Sequence, residues 1–128
     1  MSVKVDLDEL ARHVAAYGFA YLVTVTDDHR THVVAVRPTM EADGLRVEGL
    51  GARTRANVGV RPDVTLVWPP VTDGGYTLIV DGRARPDDDG AAVTPTHAVL
   101  HRPAADAPEG QPSDATSCGA DCVPVADA

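Results

Sequence analysis

From Phe19 onward the apolar residues recur at every second position, the period of a strand. Phe19, Tyr21, Val23 and Val25 share one side of a run that ends at Thr26. Asp27-Asp28-His29-Arg30 is a polar turn, and Thr31 to Arg37 returns as the second strand of a hairpin, ended by Pro38. A third strand, Gly44 to Glu48, follows the turn at Glu41-Ala42-Asp43. Val64 to Trp68 reads as a short buried strand stopped by Pro69-Pro70, and Tyr76 to Arg85 as a longer one in which Gly82 predicts a bulge or bend. Ala91 to His101 is the sixth strand, with Pro95 placing it at an edge or a kink.

Two stretches depart from this period. Asp6 to Tyr17 carries Leu7, Leu10, Val14 and Tyr17 on one helical face. Asp6 and Glu9 have capping-box spacing, Val5 can staple against Leu10, and Gly18 supplies the stop. Residues 53–60 have room for about two helical turns before Arg61-Pro62-Asp63 breaks them. The expected fold is therefore mainly β: a six-stranded antiparallel split β-barrel with an N-terminal helix and a short helix between strands three and four.

Composition divides the chain. Residues 103–128 hold five acidic side chains, no Lys or Arg and few large apolar residues. The expectation is one barrel domain over 1–102 and an acidic, flexible tail over 103–128. The net charge of −8 argues against nucleic acid as a partner. No apolar run approaches the roughly 20 residues that span a bilayer, and the start of the chain has no signal-peptide pattern, so a cytoplasmic protein without a membrane partner is expected. Basic positions are Arg throughout except Lys4, and Ala, Val, Asp and Gly abound, a composition typical of high-GC bacterial genomes.

Charge also singles out one segment. Four of the eleven basic residues lie between Arg46 and Arg61, opposed only by Glu48. Within it, Gly49, Gly51, Ala52, Arg53, Thr54 and Arg55 sit at a strand-to-helix junction. Free backbone N–H groups, the positive end of a helix and two guanidinium forks suit a phosphate there, and a solvated surface turn explains the same residues equally well. The spacing matches neither a P-loop nor a dinucleotide fingerprint. His32 and Arg37 fall on opposite faces of the second strand. His97 and His101 share a face without carboxylates at metal-ligand spacing, and Cys118 with Cys122 forms half a metal site at most, so no metal is expected. No nucleophile–histidine–acid arrangement has a local signature.

Taken in order, these pieces resemble the pyridoxamine 5′-phosphate oxidase-like family of flavin-binding split barrels, over about residues 6–102. Ala52-Arg53-Thr54-Arg55-Ala56-Asn57 stands where that family has a Ser-Arg-Lys-x-x-Asn motif. Arg61-Pro62-Asp63 followed by Val64-Thr65-Leu66-Val67 is similar to its Arg-Asn/Asp-Pro-strand signal, and Ile79-Val80-Asp81-Gly82-Arg83-Ala84 to its Val-x-Gly-x-Ala strand. The resemblance implies a homodimer with two cofactors at the subunit interface. It implies FMN, or alternatively the deazaflavin F420, with the phosphate held by Arg53 and Arg37 and by Gly51, Ala52, Thr54 and Arg55 around them. His32, Val33 and Val34 would line the ring, and Tyr76 would reach it across the dimer. Thr54 replaces the usual lysine, and Arg55 is the residue expected to compensate. The implied function is an FMN- or F420-dependent oxidoreductase acting on a small molecule, with no residue marked as a catalytic acid or base. Pyridoxamine phosphate oxidation itself is not expected, because the C-terminal region that completes those enzymes is missing. The alternative is a non-catalytic split barrel that binds flavin, haem or another anion.

Overall fold

Cross-strand rows of aliphatic side chains build the sheet. In the computed structural model, which describes residues 1–104, Val34, Leu22, Leu66, Val80 and Ala98 stand side by side on five successive strands. Four of the five are almost fully buried, each worth about 1.5–3 kcal/mol of transfer free energy for the larger side chains. The strands are β1 Ser2–Lys4, β2 Ala20–Val25, β3 Thr31–Val36, β4 Thr39–Glu41, β5 Gly44–Val47, β6 Asp63–Trp68, β7 Thr77–Asp87 and β8 Gly90–His101. All pairings are antiparallel in the order β3-β2-β6-β7-β8-β5-β4, with β1 added beside the end of β8. The edges β3 and β4 do not pair with each other, so the barrel is split rather than closed. Trp68, Leu45, Leu78, Val47 and Val93 fill its interior.

The mainly-β split barrel expected from the sequence is present, and β1 and β4 bring its strands from six to eight. Both added strands are three residues long, too short for alternation to register. The short helix falls where expected: α2 spans Ala52–Val60, between β5 and β6.

The N-terminal helix is shorter than its pattern suggests. Leu7–Glu9 is a single 3₁₀ turn and α1 covers only Leu10–Val14. Asp6 makes no side-chain cap, and the Ala16 and Tyr17 amides bond three residues back, which tightens the exit. Val5 donates its amide to the Ala98 carbonyl, so the segment is tied into the sheet before it can form a full turn. Only Leu10 and Val14 of the apolar stripe are buried, and Leu7 stays exposed.

Gly82 and Pro95 explain each other. They face one another at a register shift between β7 and β8, where Thr96 is the extra residue. A Cβ at Gly82 would lie 2.7 Å from the Thr94 carbonyl oxygen and 2.8 Å from Val93 Cγ1, so no larger residue fits. Pro95, which has no N–H to offer the ladder, sits where the bulge removes the need for one.

On β2 the buried side is Ala20, Leu22 and Thr24. The larger set, Phe19, Tyr21, Val23 and Val25, lies on the outer face, with Phe19 and Tyr21 packed edge-to-face at 5.1 Å. Val33 and Ala35 of β3 lie beside it, Val33 at 52% exposure and Tyr21 at 40%. Outward-facing Val67, Ile79 and Val99 continue the row Ala35–Tyr21 across β6, β7 and β8. The sheet thus has apolar side chains on both faces, and among the described residues only one of them is covered. Among the described residues no helix is long and apolar enough to cross a membrane.

Candidate functional site

Gly49, at φ +73°, turns the chain out of β5 in a conformation that side-chain-bearing residues rarely adopt. Leu50 is buried and its amide bonds the Asp89 carbonyl oxygen at 2.7 Å, which fixes the start of α2 against the β7–β8 turn. Gly51 then caps the helix with no side-chain hydrogen bond, leaving the first-turn amides without an intrahelical partner. Its own φ is −71°, and no described atom would crowd a Cβ there, so nothing among the described residues requires glycine at position 51.

Helical spacing then sorts the motif. Thr54 and Val58, four apart, are the buried residues of α2 and face the sheet. Arg53 is turned to solvent and, among the described residues, makes neither an ion pair nor a hydrogen bond. Arg55 points elsewhere: its Nε donates to the Leu50 carbonyl oxygen at 3.1 Å and its Nη1 to that of Asp88 at 3.0 Å. The guanidinium expected to compensate for a missing lysine instead fastens α2 to the adjoining loops.

Thr54 does not face the opening. It is 2% exposed, and its Oγ1 lies 3.3 Å from His32 Nε2 on β3. Beneath it, Asn57 Nδ2 donates to Thr24 Oγ1 at 3.1 Å, and Thr24 is fully buried. Every buried side-chain polar atom among the described residues has a partner. The helix is therefore docked on β2 and β3 through a satisfied polar network, which fixes geometry more tightly than apolar contact does.

His32, Arg53 and Asn57 line one groove of about 400 Å³, closed on its far side by Thr26, Asp27, Asp28, Arg30 and Thr31 of the β2–β3 hairpin. Arg61, following α2, holds that hairpin: Nε donates to the Thr26 carbonyl oxygen and Nη2 to that of Asp27, both at 3.2 Å. Arg37 sits elsewhere. It lines a second opening of about 370 Å³ with Phe19, Ala35, Val36 and Glu48, on the outer side of the sheet where Val33 is exposed. Val34 packs half-buried against the core. Tyr76 precedes β7 at the end where β6 finishes, whereas α2 leads into the start of β6. Its ring stacks under the Arg102 guanidinium at 4.5 Å, and its carbonyl oxygen accepts the Tyr17 hydroxyl at 2.9 Å. Burial raises the pKa of that Tyr17 hydroxyl.

Of the sequence-predicted set, then, His32, Arg53 and Thr54 come together beside Gly51 and Ala52. Arg55 is beneath them, Arg37 and Val33 are on the outer face, and Tyr76 is at the far end. Thr24, Asn57 and Arg61 escaped sequence reasoning as site residues. A threonine among aliphatics on the inner side of β2 was the available signal for the first. Cys118 and Cys122 lie outside the described residues, and His101 Nδ1 bonds Ser2 Oγ at 2.9 Å.

No family model matches the chain. Two curated proteins do: Mb0449c of Mycobacterium bovis and MT0457 of Mycobacterium tuberculosis, each 48% identical over 136 aligned positions and covering 94% of both chains. The chain belongs to the family of these mycobacterial proteins. Solved structures share the fold at lower identity. A FAD-binding protein of Mesorhizobium loti superposes with a TM-score of 0.61 at 12% identity, covering 78% of this chain and 96% of its own. An F420 reductase gives 0.54 at 16%, with 62% and 87% covered. HutZ, the haem storage protein of Vibrio cholerae, gives 0.55 at 14%, with 73% and 92% covered. What these solved proteins share with the chain is the split-barrel fold.

Proposed function

We propose that the protein binds a flavin or deazaflavin, FMN or F420, as a homodimer and serves as an oxidoreductase for a small molecule. The observation that carries this reading is the start of α2: a helix of nine residues whose first-turn amides and neighbouring Arg53 have no partner among the described residues, and no Cβ at Gly51 to fill the approach. Those donors suit the phosphate of either cofactor. The fit is narrower than the motif suggests, because Thr54 and Arg55 are engaged within the chain. The bound ring would supply the hydride chemistry, and the protein's part is to hold and orient it and to keep water away.

A second copy completes the site. Tyr21, Val23, Val33, Ala35, Val67 and Ile79 form an apolar face that the described residues of one chain leave uncovered, and Arg37 opens onto it. Tyr76 stands at the opposite end of β6 from α2 and would reach an Arg53-held ligand from the partner. The neighbouring folds support this class, since an F420 reductase and a FAD-binding protein share the barrel.

The test is titration of purified protein with FMN, F420 and haem separately, followed by visible spectroscopy. Micromolar binding of FMN or F420, and turnover of its reduced form, is the expected result. Haem binding with neither flavin nor deazaflavin binding would replace this reading with that of a non-catalytic binding protein; a haem storage protein, HutZ, shares the fold.

A further inference from the structure

The pair His32–Thr54 has no role in the assignment above, yet it stands at the groove. Thr54 Oγ1 is 3.3 Å from His32 Nε2, the threonine is 2% exposed, and His32 is half-buried and lines the same groove as Arg53. A buried aliphatic at position 54 would hold the imidazole in one protonation state only, since a charged ring nitrogen facing a methyl group is left without a partner. A hydroxyl is different: it donates to a neutral ring nitrogen and accepts from a protonated one. Thr54 therefore keeps His32 satisfied whether or not the ring carries a charge. Histidine is the side chain whose ordinary titration falls between pH 5 and 8.

We propose that His32, backed by Thr54, is a second and pH-dependent cation of the groove, so that its anionic ligand binds more tightly as the pH falls. This rests on reading the groove as the anion-holding end of the cofactor site. The charged and titratable groups around the ring are consistent with the role. Arg53 on α2 and Arg30 on the hairpin make the groove receptive to an anion, and Asp27 and Asp28 on the same hairpin are its acidic members. His29, at the hairpin tip, is turned to Arg61 Nη2 at 3.5 Å. The sign follows from linkage: an anion that prefers the protonated ring raises proton uptake, so lower pH must strengthen anion binding. A fixed cation at position 54 would bind an anion of constant charge equally at all these pH values. The exchange of lysine for threonine thus becomes a change of behaviour rather than a loss.

The experiment uses sulfate, whose charge does not change over the range, with NMR of the full chain at pH 5.5 and 8.0. Wild-type protein should bind sulfate on the order of three- to tenfold more tightly at pH 5.5, with His32 ring resonances moving on addition. His32→Asn should bind with little pH dependence, and His29→Asn should keep the wild-type response. Thr54→Val should flatten the response and Thr54→Ser restore it, which a merely structural threonine would not do. Arg53→Ala should weaken binding at both pH values. Arg53-dependent binding that is equal at the two pH values, or a His32→Asn protein as pH-sensitive as wild type, overturns the proposal while leaving the cofactor reading intact. Absence of Arg53-dependent sulfate binding at either pH overturns both. Sulfate binding of the expected kind without FMN or F420 binding upholds the proposal and removes only the choice of cofactor.

Discussion

Replacing Arg53 and Arg55 separately by alanine should produce opposite outcomes, although the two differ by only two positions. Arg53 is exposed and makes no contact with a described polar group, and alanine is the better helix former. Its loss should change folding stability by no more than about 0.5 kcal/mol. If Arg53 donates to a cofactor phosphate, the charge-assisted contact is worth about 1.5–3 kcal/mol, or roughly 10- to 150-fold in Kd. Arg55 is the reverse case. It donates to two backbone carbonyl oxygens, of Leu50 and Asp88, and so joins α2 to the loop before it and to the β7–β8 turn. Removing it leaves those carbonyls without that donor and should cost about 1–3 kcal/mol, discounted for their partial exposure. In a domain of this size that is a fall in Tm of roughly 4–8 °C for each kcal/mol. Fluorescence titration of FMN and F420, run beside thermal melts on the same preparations, separates the two effects. An Arg53→Ala protein that binds like wild type, or an Arg55→Ala protein that melts like wild type but loses the cofactor, would refute the assignment.

Placing a charge on the uncovered apolar face, as in Val33→Glu, should convert the expected dimer to monomer by sedimentation equilibrium; an unchanged mass would locate the interface elsewhere. Asn57→Ala removes the donor to buried Thr24 Oγ1 and should lower stability by about 1–3 kcal/mol in urea unfolding, and a neutral result would mean that the network under α2 is dispensable. Arg46 binds Asp87 through both guanidinium nitrogens, one contact at 2.7 Å, and this hydrogen bonding holds the Asp87 carboxyl below its ordinary range. The stabilisation is present above the unfolded carboxylate pKa, near 4, and disappears as the pH falls through the lower folded value. Asp87→Asn should therefore reduce the loss of stability between pH 7 and pH 3, read as urea midpoints; a loss as steep as that of wild type would show that other carboxylates set the acid limb.

How much of this could be read in advance depends on what each element asked of the sequence. Strand alternation, the turn at Asp27–Arg30 and the Gly82/Pro95 irregularity are local signals, and the barrel follows them closely. The helix pattern at Asp6–Tyr17 was equally strong locally and yielded only five α-helical residues, because Val5 is claimed by β8. Period alone also could not say which side of β2 faces inward. Both sides are apolar, and the bulkier one faces out, which is what a strand buried by its own chain on one face and by a partner on the other would require.

The site was half legible for a related reason. Matching Ala52-Arg53-Thr54-Arg55 to a phosphate motif treats the four side chains as if they all faced the ligand, but a helix turns by about 100° at each residue. Val58 is the apolar residue of α2 that is buried, and four positions earlier on the same face stands Thr54. That spacing, present in the sequence, already assigns Thr54 inward and its neighbour Arg53 away from the core. What it could not supply is the strand beneath. Only the pairing of β3 with β2 sets His32 opposite Thr24 and under Thr54, and a contact between positions 22 residues apart has no period to betray it. The Arg53-Thr54-Arg55 motif is therefore one exposed arginine, one arginine tied to the fold, and a threonine whose role is defined by a histidine on another strand.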